Sequence, residues 1–362
     1  MTRPIAFTHQ ALPGRVVFGV GAVDQVGDEV AALPARRALL IMSESGAAAG
    51  KAVAAQLGRR HAGTIDRVAP HVPEELAMAA TRRAVEVDAD VVISVGGGSA
   101  TGLAKAVAAR TGAPVMAVPT TYAGSEVTPM YGITGARKVI RQDPRVLPRV
   151  VVYDPALTVG LPARTSGASG LNALAHCVEA FAAPRASPVT DVFAAEGARR
   201  LVAALPRVVS DPDDLHARAE AMLGAYLAGV AFAGAGSGLH HRLCHVLGGD
   251  HRLVHAEIHA VLLPYVAALQ RDRAPDASRR AADALGVPDA ATGLRDLAET
   301  LGTPTSLAAL GLPADALDEA VRRCAEVAAL LPPSPTVTDP RPIDEPAIRA
   351  LLEAAYAGRR PS

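Results

Sequence analysis

Five short runs of apolar, largely β-branched residues mark the first half of the chain, and none recurs in the second. Arg15–Phe18, Ala38–Met42, Val91–Val95, Val115–Val118 and Val150–Tyr153 read as strands. The Ala-rich segments Val23–Ala32, Gly46–Leu57, Pro73–Val87 and Ala100–Ala109 read as helices between them. Strands that are apolar on both faces and alternate with helices require a parallel sheet covered on both sides. After Pro155 the texture changes. Thr165–Phe181, Pro188–Ala204, Leu215–Ala233, Leu239–Leu247 and His255–Gln270 carry helical spacing, and strand signals almost vanish. The expected fold is an α/β, Rossmann-like nucleotide-binding domain over residues 1–158, followed by an all-α domain over residues 159–362. The Pro-rich run Leu331–Pro342 reads as a loop.

Composition excludes several functions. With 362 residues, half of them hydrophobic, a sizeable core in two domains is available. The net charge is zero, aromatics make up 3% and Trp is absent, so neither an electrostatic nor a base-stacking case for nucleic acid exists. No run of large apolar residues is long enough for a membrane span. The opening MTRPIAFTHQ lacks the apolar stretch of a signal peptide, and Cys177, Cys244 and Cys324 show no paired spacing. A reduced, cytoplasmic setting is expected. Among 36 basic residues only Lys51, Lys105 and Lys138 are lysine.

The third strand runs into Gly96-Gly97-Gly98-Ser99, and a helix carrying Lys105 starts there. Glycines let a backbone approach a pyrophosphate, and the helix N-terminus offers free N–H groups and a positive dipole end. Thr120, Thr121, Tyr122 and Ser125 follow the next strand, at the edge where parallel sheets bind ligands. Ser43, ending the second strand, is a candidate for the adenosine ribose. Gly19-Val20-Gly21 reads as a plain turn.

Six of the 11 histidines fall between His240 and His259, and His176 lies upstream. Asn172 and His176 are four apart and share a helix face, as do His241 and His245. With His255, these residues are expected to converge on one pocket. His240, His251 and His259 read as structural or peripheral. Where a carboxylate would complete a metal site, one turn before His176, the chain has Asn172. An amide supplies no negative charge and is a poor metal ligand, so no required metal is expected. Were iron or zinc bound, His176, His241 and His255 would hold it.

The ordered motifs GGGSATGLAK, PTTYAGSEVTP, SGLNALAHCVEAF, GLHHRLCHVLGG and VHAEIHA resemble the iron-containing alcohol dehydrogenase superfamily over nearly the whole chain. Within it the maleylacetate reductase branch is the most similar, sharing Asn172, Gly102, Thr121-Tyr122 and the Arg137-Lys138 element. Metal-dependent members bind iron or zinc through an Asp and three His, matched here by Asn172, His176, His241 and His255. His245 matches a histidine near the nicotinamide. The resemblance implies hydride transfer from NADH or NADPH to the C=C bond of maleylacetate, in aromatic-compound catabolism, by a homodimer. His241 and His245 would donate protons, His176, His255 and Asn172 would orient the substrate, and Arg242 or Lys138 would meet a carboxylate. The segment Pro332–Pro342 lacks the family's aromatic Asn-Pro element, which opens the reading to another enone or aldehyde. A metal-dependent alcohol dehydrogenase, a lyase or cyclase on the same scaffold, and a non-catalytic cofactor-binding or metal-storage protein are the alternatives.

Overall fold

The computed structural model describes residues 7–12, 14–339 and 341–361; the first six residues of the N-terminal reading, and Pro340 of the Pro-rich run, lie outside them. Residues 15–153 alternate strands and helices in the order β1 (Arg15–Phe18), α1 (Val26–Ala32), β2 (Ala38–Met42), α2 (Ala47–Leu57), β3 (His61–Ile65), α3 (Glu74–Glu86), β4 (Val91–Gly96), α4 (Gly98–Thr111), β5 (Val115–Pro119), β6 (Met130–Thr134), β7 (Lys138–Gln142) and β8 (Val150–Tyr153). Helices follow: α5 (Ala163–Ala180), α6 (Pro188–Ser210), α7 (Leu215–Ala235), α8 (Leu239–Asp250), α9 (His255–Arg273), α10 (Pro275–Leu285), α11 (Ala290–Thr300), α12 (Leu317–Ala329) and α13 (Glu345–Ala357).

Six strands form one parallel sheet in the order β1-β8-β5-β4-β2-β3. The central strands β4 and β5 are buried along their whole length, as their unbroken apolar sequences require. Three strands were missed in the sequence. β3, His-Ala-Gly-Thr-Ile, is an edge strand, partly exposed and weakened by an internal glycine, so its hydrophobic signal is faint. β6 and β7 form an antiparallel hairpin outside the main sheet, and β7 is mostly exposed and polar.

Helix α5 is the spine of the second half. Fourteen of its 18 residues are buried, and Leu171 and Leu174 are fully so. Each such leucine contributes about 1.5–3 kcal/mol through burial. The chain reverses sharply between α7 and α8, which are bent by 103° at a break where Gly236 takes φ 89°. That turn aims the histidine face of α8 at α5. Among the described residues no single helix is long and apolar enough to cross a membrane. Helix α6 runs on past the expected end at Ala204 and takes Pro206 into its last turns. The Pro-rich run is irregular where described, as expected.

The two halves touch closely where α7 meets the loop after β5. A methyl group at Gly229 would lie 2.4 Å from Val127 Cγ2 and 2.6 Å from the Gly124 carbonyl oxygen. Gly229→Ala is therefore expected to destabilise the protein by about 1–3 kcal/mol through overpacking. Thermal denaturation of the variant checks it, and an unchanged midpoint would contradict so close an approach.

Candidate active site

The first component is the glycine turn. Helix α4 starts at Gly98, and its N-cap, Gly97, carries no side chain to satisfy the first N–H groups. Gly96 adopts φ 150°, and a Cβ there would fall 2.5 Å from Ser43 Oγ; one at Gly97 would fall 2.9 Å from Thr121 Cγ2. Only a chain without side chains here fits between Ser43 and Thr121. Gly98 is open to solvent, Ser99 is half-buried on the first turn, and Ser43 Oγ caps the turn at Gly46. Thr120 Oγ1 and Ser125 Oγ are buried without partners. Free N–H groups at a helix start, bounded by unpartnered hydroxyls, suit a diphosphate.

Two residues placed in the binding set by sequence do other work. Lys105 is fully buried, and its Nζ donates to the carbonyl oxygens of Ser125 (2.5 Å), Thr128 (2.7 Å) and Met130 (3.0 Å). Burial draws this ammonium down to about 7, while Glu126 raises it. Lys105 thus clamps the loop that follows β5, with no donor left for a ligand. Tyr122 points into the core of the helical half. Its hydroxyl donates to Thr158 Oγ1 and accepts from Arg218, and its N–H donates to Ser169 Oγ. It does not join the histidines.

The clamped loop is the bridge to the second component. Asn172 Nδ2 donates to the Ala123 carbonyl at 3.3 Å, and a Cβ at Gly124 (φ 73°) would lie 3.0 Å from His176 Nδ1. Helices α5, α8 and α9 then bring His176, His241, His245 and His255 into one cluster. The His176 ring stacks on His241 at 4.8 Å and on Phe232 at 4.6 Å. His241 to His245 is 6.3 Å, and His245 to His255 is 5.6 Å, between ring centroids. Arg242 is half-buried on the same helix with its Nε unpartnered.

His240 and His259, expected to be peripheral, belong to this cluster. His240 Nε2 and His259 Nδ1 are 2.9 Å apart, and His259 Nε2 lies 3.2 Å from His255 Nε2. For His259 the sequence held the clue, since it stands four residues after His255 on α9. The larger omission is Glu179. Its carboxylate lies 2.5 Å from His241 Nδ1 and accepts the His241 backbone N–H at 3.2 Å. Burial raises the Glu179 carboxyl, but the charge and hydrogen bond of His241, the charge of His240 and the Gly238 N–H outweigh it and hold the carboxyl below its ordinary value. The signal was a His-x-x-Glu spacing on an apolar helix. His241 Nε2, His176 Nδ1 and Asn172 Oδ1 remain buried and unpartnered.

The residues matching a metal set do not fit an ion well. Among the described residues, the His/Cys/Asp/Glu group whose ligand atoms lie within 4.8 Å of one another is His240, Cys244 and His259, not His176, His241 and His255. Asn172 adds no charge, and one ring nitrogen of His255 is turned to His259. The loop that departs from the family pattern packs on the C-terminal end of α5, just past Glu179. Ser334 and Thr336 bond to the carbonyls of Ala183 and Phe181, and Asp339 pairs with Arg273. Arg273 ends α9, about 27 Å from His255 at 1.5 Å per residue.

A glycine turn on a parallel sheet and a histidine cluster between helices suit an oxidoreductase with a nicotinamide nucleotide as its cofactor. The comparisons agree. The iron-containing alcohol dehydrogenase family matches residues 13–155, and the C-terminal part of that family matches residues 166–356. The chain belongs to the iron-containing alcohol dehydrogenase family. It is 46% identical to the maleylacetate reductase of Burkholderia cepacia, over 99% of both chains. It is also similar to the crystal structure of maleylacetate reductase from Agrobacterium tumefaciens, with 43% identity, TM-score 0.89, and 98% and 99% of the two chains covered. A putative alcohol dehydrogenase from Ralstonia eutropha gives TM-score 0.93 at 47% identity, over 99% of this chain and 100% of that one.

Burial holds the imidazoles of His176, His240 and His259 below the ordinary histidine range, His240 at about 3, with neighbouring histidines adding to the effect. A histidine lowered on folding stays neutral while its unfolded counterpart takes up a proton near the ordinary value of 6.5. Stability is therefore present above that pH and is lost as pH falls, by up to about 1.4 kcal/mol per unit for each such group. Denaturant unfolding at about pH 7.5 and about pH 5.5 should show a lower midpoint in acid. Equal midpoints would contradict neutral buried rings.

Proposed function

We propose that the chain is a maleylacetate reductase. It would use NADH or NADPH to reduce the C=C bond of maleylacetate to 3-oxoadipate, without a required metal. The observation that carries this reading is the Glu179–His241 pair beside Asn172: an amide stands where metal-dependent relatives have a carboxylate ligand, and Glu179 holds the His241 ring with Nε2 unpartnered.

The nicotinamide supplies a hydride when bound. The Gly96–Gly98 turn, Ser99, Thr120, Thr121, Ser125 and Ser43 would hold the nucleotide, with Lys105 shaping the loop behind it. Hydride addition to the alkene carbon β to the ketone leaves negative charge on the ketone oxygen, so donors aimed there lower the barrier. Glu179 accepts from His241 Nδ1 and would offset the charge of a second proton at Nε2. The unpartnered Nε2–H can then donate to the developing oxyanion. His245, one turn further along α8 and held neutral by burial, would relay a solvent proton to the α-carbon, completing the addition of one hydride and one proton. His176, His255 and Asn172 would orient the substrate, and Arg242 would face a carboxylate.

Two domains divided near residue 158 would provide the cofactor and substrate halves. A homodimer is supported by the open outer edge of β1, beside exposed Phe18 and Val20. The buried free thiols of Cys177, Cys244 and Cys324 support a reducing, cytoplasmic location.

Loss of NAD(P)H absorbance on adding maleylacetate tests the reaction, and no loss with that substrate would refute it. His245→Ala and Glu179→Gln should each lower kcat by about 10²–10⁴-fold, the usual range for acid–base groups. Cofactor affinity, followed by nucleotide fluorescence, should survive in both. Near-normal turnover in either variant would remove that residue from the mechanism.

A further inference from the structure

We propose that His71 and Lys138 form a carboxylate-binding subsite at the edge of the histidine cluster and select a dianionic substrate over a monoanionic one. This rests on the reductase reading above and adds which groups read the substrate's charge.

His71 precedes α3 and takes φ 61°; Val72 follows at φ 48°. Two consecutive residues in the left-handed region are uncommon, and a β-branched residue there is an outlier. Such backbone persists only where its surroundings impose it. Here the end of β6 does so: Thr134 Oγ1 donates to the His71 carbonyl at 2.8 Å, and the Thr134 N–H donates to the Val72 carbonyl. Thr134 pairs with Lys138 in the hairpin register. One hairpin end therefore both imposes the His71 turn and presents Lys138.

The pair reaches the cluster over glycines of α8. A methyl at Gly249 would lie 3.0 Å from Lys138 Cβ. One at Gly248 would lie 3.3 Å from His71 Cε1 and 3.7 Å from His255 Nδ1. The His71 ring meets His255 edge-on at 6.3 Å. A row of rings thus runs from His241 through His245 and His255 to His71.

The cations in this corner are Lys138 and Arg242, and among the described residues no carboxylate pairs with either. They converge with His71, His245 and His255 from the hairpin, the turn, α8 and α9, and burial together with Lys138 favours the neutral form of these three rings, which can still donate an N–H. The carboxylates on these elements are turned away: Asp250 pairs with Arg323 and Glu257 with Arg164. Glu74, starting α3, lies against Gly135. The group opposing Lys138 is the Cys244 thiol, whose proton burial retains. Burial lowers the Lys138 ammonium to about 8, and burial with Lys138 lowers His71. A half-buried ammonium that pairs with no carboxylate among the described residues is a site for an anion.

The test compares maleylacetate with 4-oxo-2-pentenoate, the enone lacking the second carboxylate, in wild type, Lys138→Met, Lys138→Arg and His71→Asn. Loss of a charge-assisted hydrogen bond in Lys138→Met should cut the dianion-to-monoanion ratio of kcat/KM by about 10–100-fold. Lys138→Arg should recover much of it, His71→Asn should show a smaller cut, and the KM for NAD(P)H should not share the rise. Equal losses for both acids, or a rise confined to the cofactor KM, would overturn the subsite. If wild type reduces neither acid, the reductase reading fails, and calorimetric titration with 3-oxoadipate decides the subsite alone. Binding to wild type that is lost in Lys138→Met supports it, and equal or absent binding overturns it.

Discussion

The carboxylate of Glu179 joins two helices and orients the ring of His241 at the same time. It projects from α5, takes the backbone N–H of His241 at the start of α8, and meets the ring Nδ1 of the same residue. Helix α8 has no side-chain cap of its own, so Glu179 supplies what the helix start lacks. Gly238 is required at this point, because a Cβ there would fall 2.9 Å from Glu179 Oε1. The 103° break before α8 would leave the histidine face loosely aimed without this tie. A buried carboxylate costs free energy unless hydrogen-bonded and paired, and here three partners meet that cost.

A second tie couples this centre to the nucleotide cradle. The loop after β5 is fixed from below by Lys105, whose ammonium takes three carbonyls, and from above by Asn172 and Ser169 of α5. The hydroxyls of Thr120 and Ser125 and the contact of Gly124 with His176 all belong to that loop. Cofactor position and imidazole position are therefore set by one short segment. Remote binding energy can then fix the geometry of the reacting groups, which is worth more to rate than extra contacts to the ground state.

Much of the fold was legible because burial on both faces leaves an unbroken apolar run, as in Val91–Val95, and helices leave a clear period. What failed was marginal burial. β3 carries an internal glycine at the sheet edge, β6 is only half-buried, and β7 is mostly exposed. In the site, the spacing of Asn172, His176, His241 and His245 announced a shared pocket. Lys105 and Tyr122 were misassigned because a lysine after a glycine turn and a tyrosine in a polar turn look like ligand contacts; only the packing reveals carbonyls around one and a core around the other. Glu179 was hidden in a helix whose histidine drew the attention, and His71 left no periodic signal at all.

These ties bear on the choice between a metal and a proton. Asn172 in place of a carboxylate, the turning of one His255 nitrogen to His259, and a close ligand group that among the described residues is His240, Cys244 and His259 favour hydrogen-bond donation to a developing enolate. The direct measurement is metal content by elemental analysis alongside maleylacetate-dependent NAD(P)H oxidation, before and after exhaustive chelation. The proposed mechanism predicts full kcat in protein holding far less than one metal ion per chain. Activity that disappears on chelation and returns with iron or zinc would contradict it.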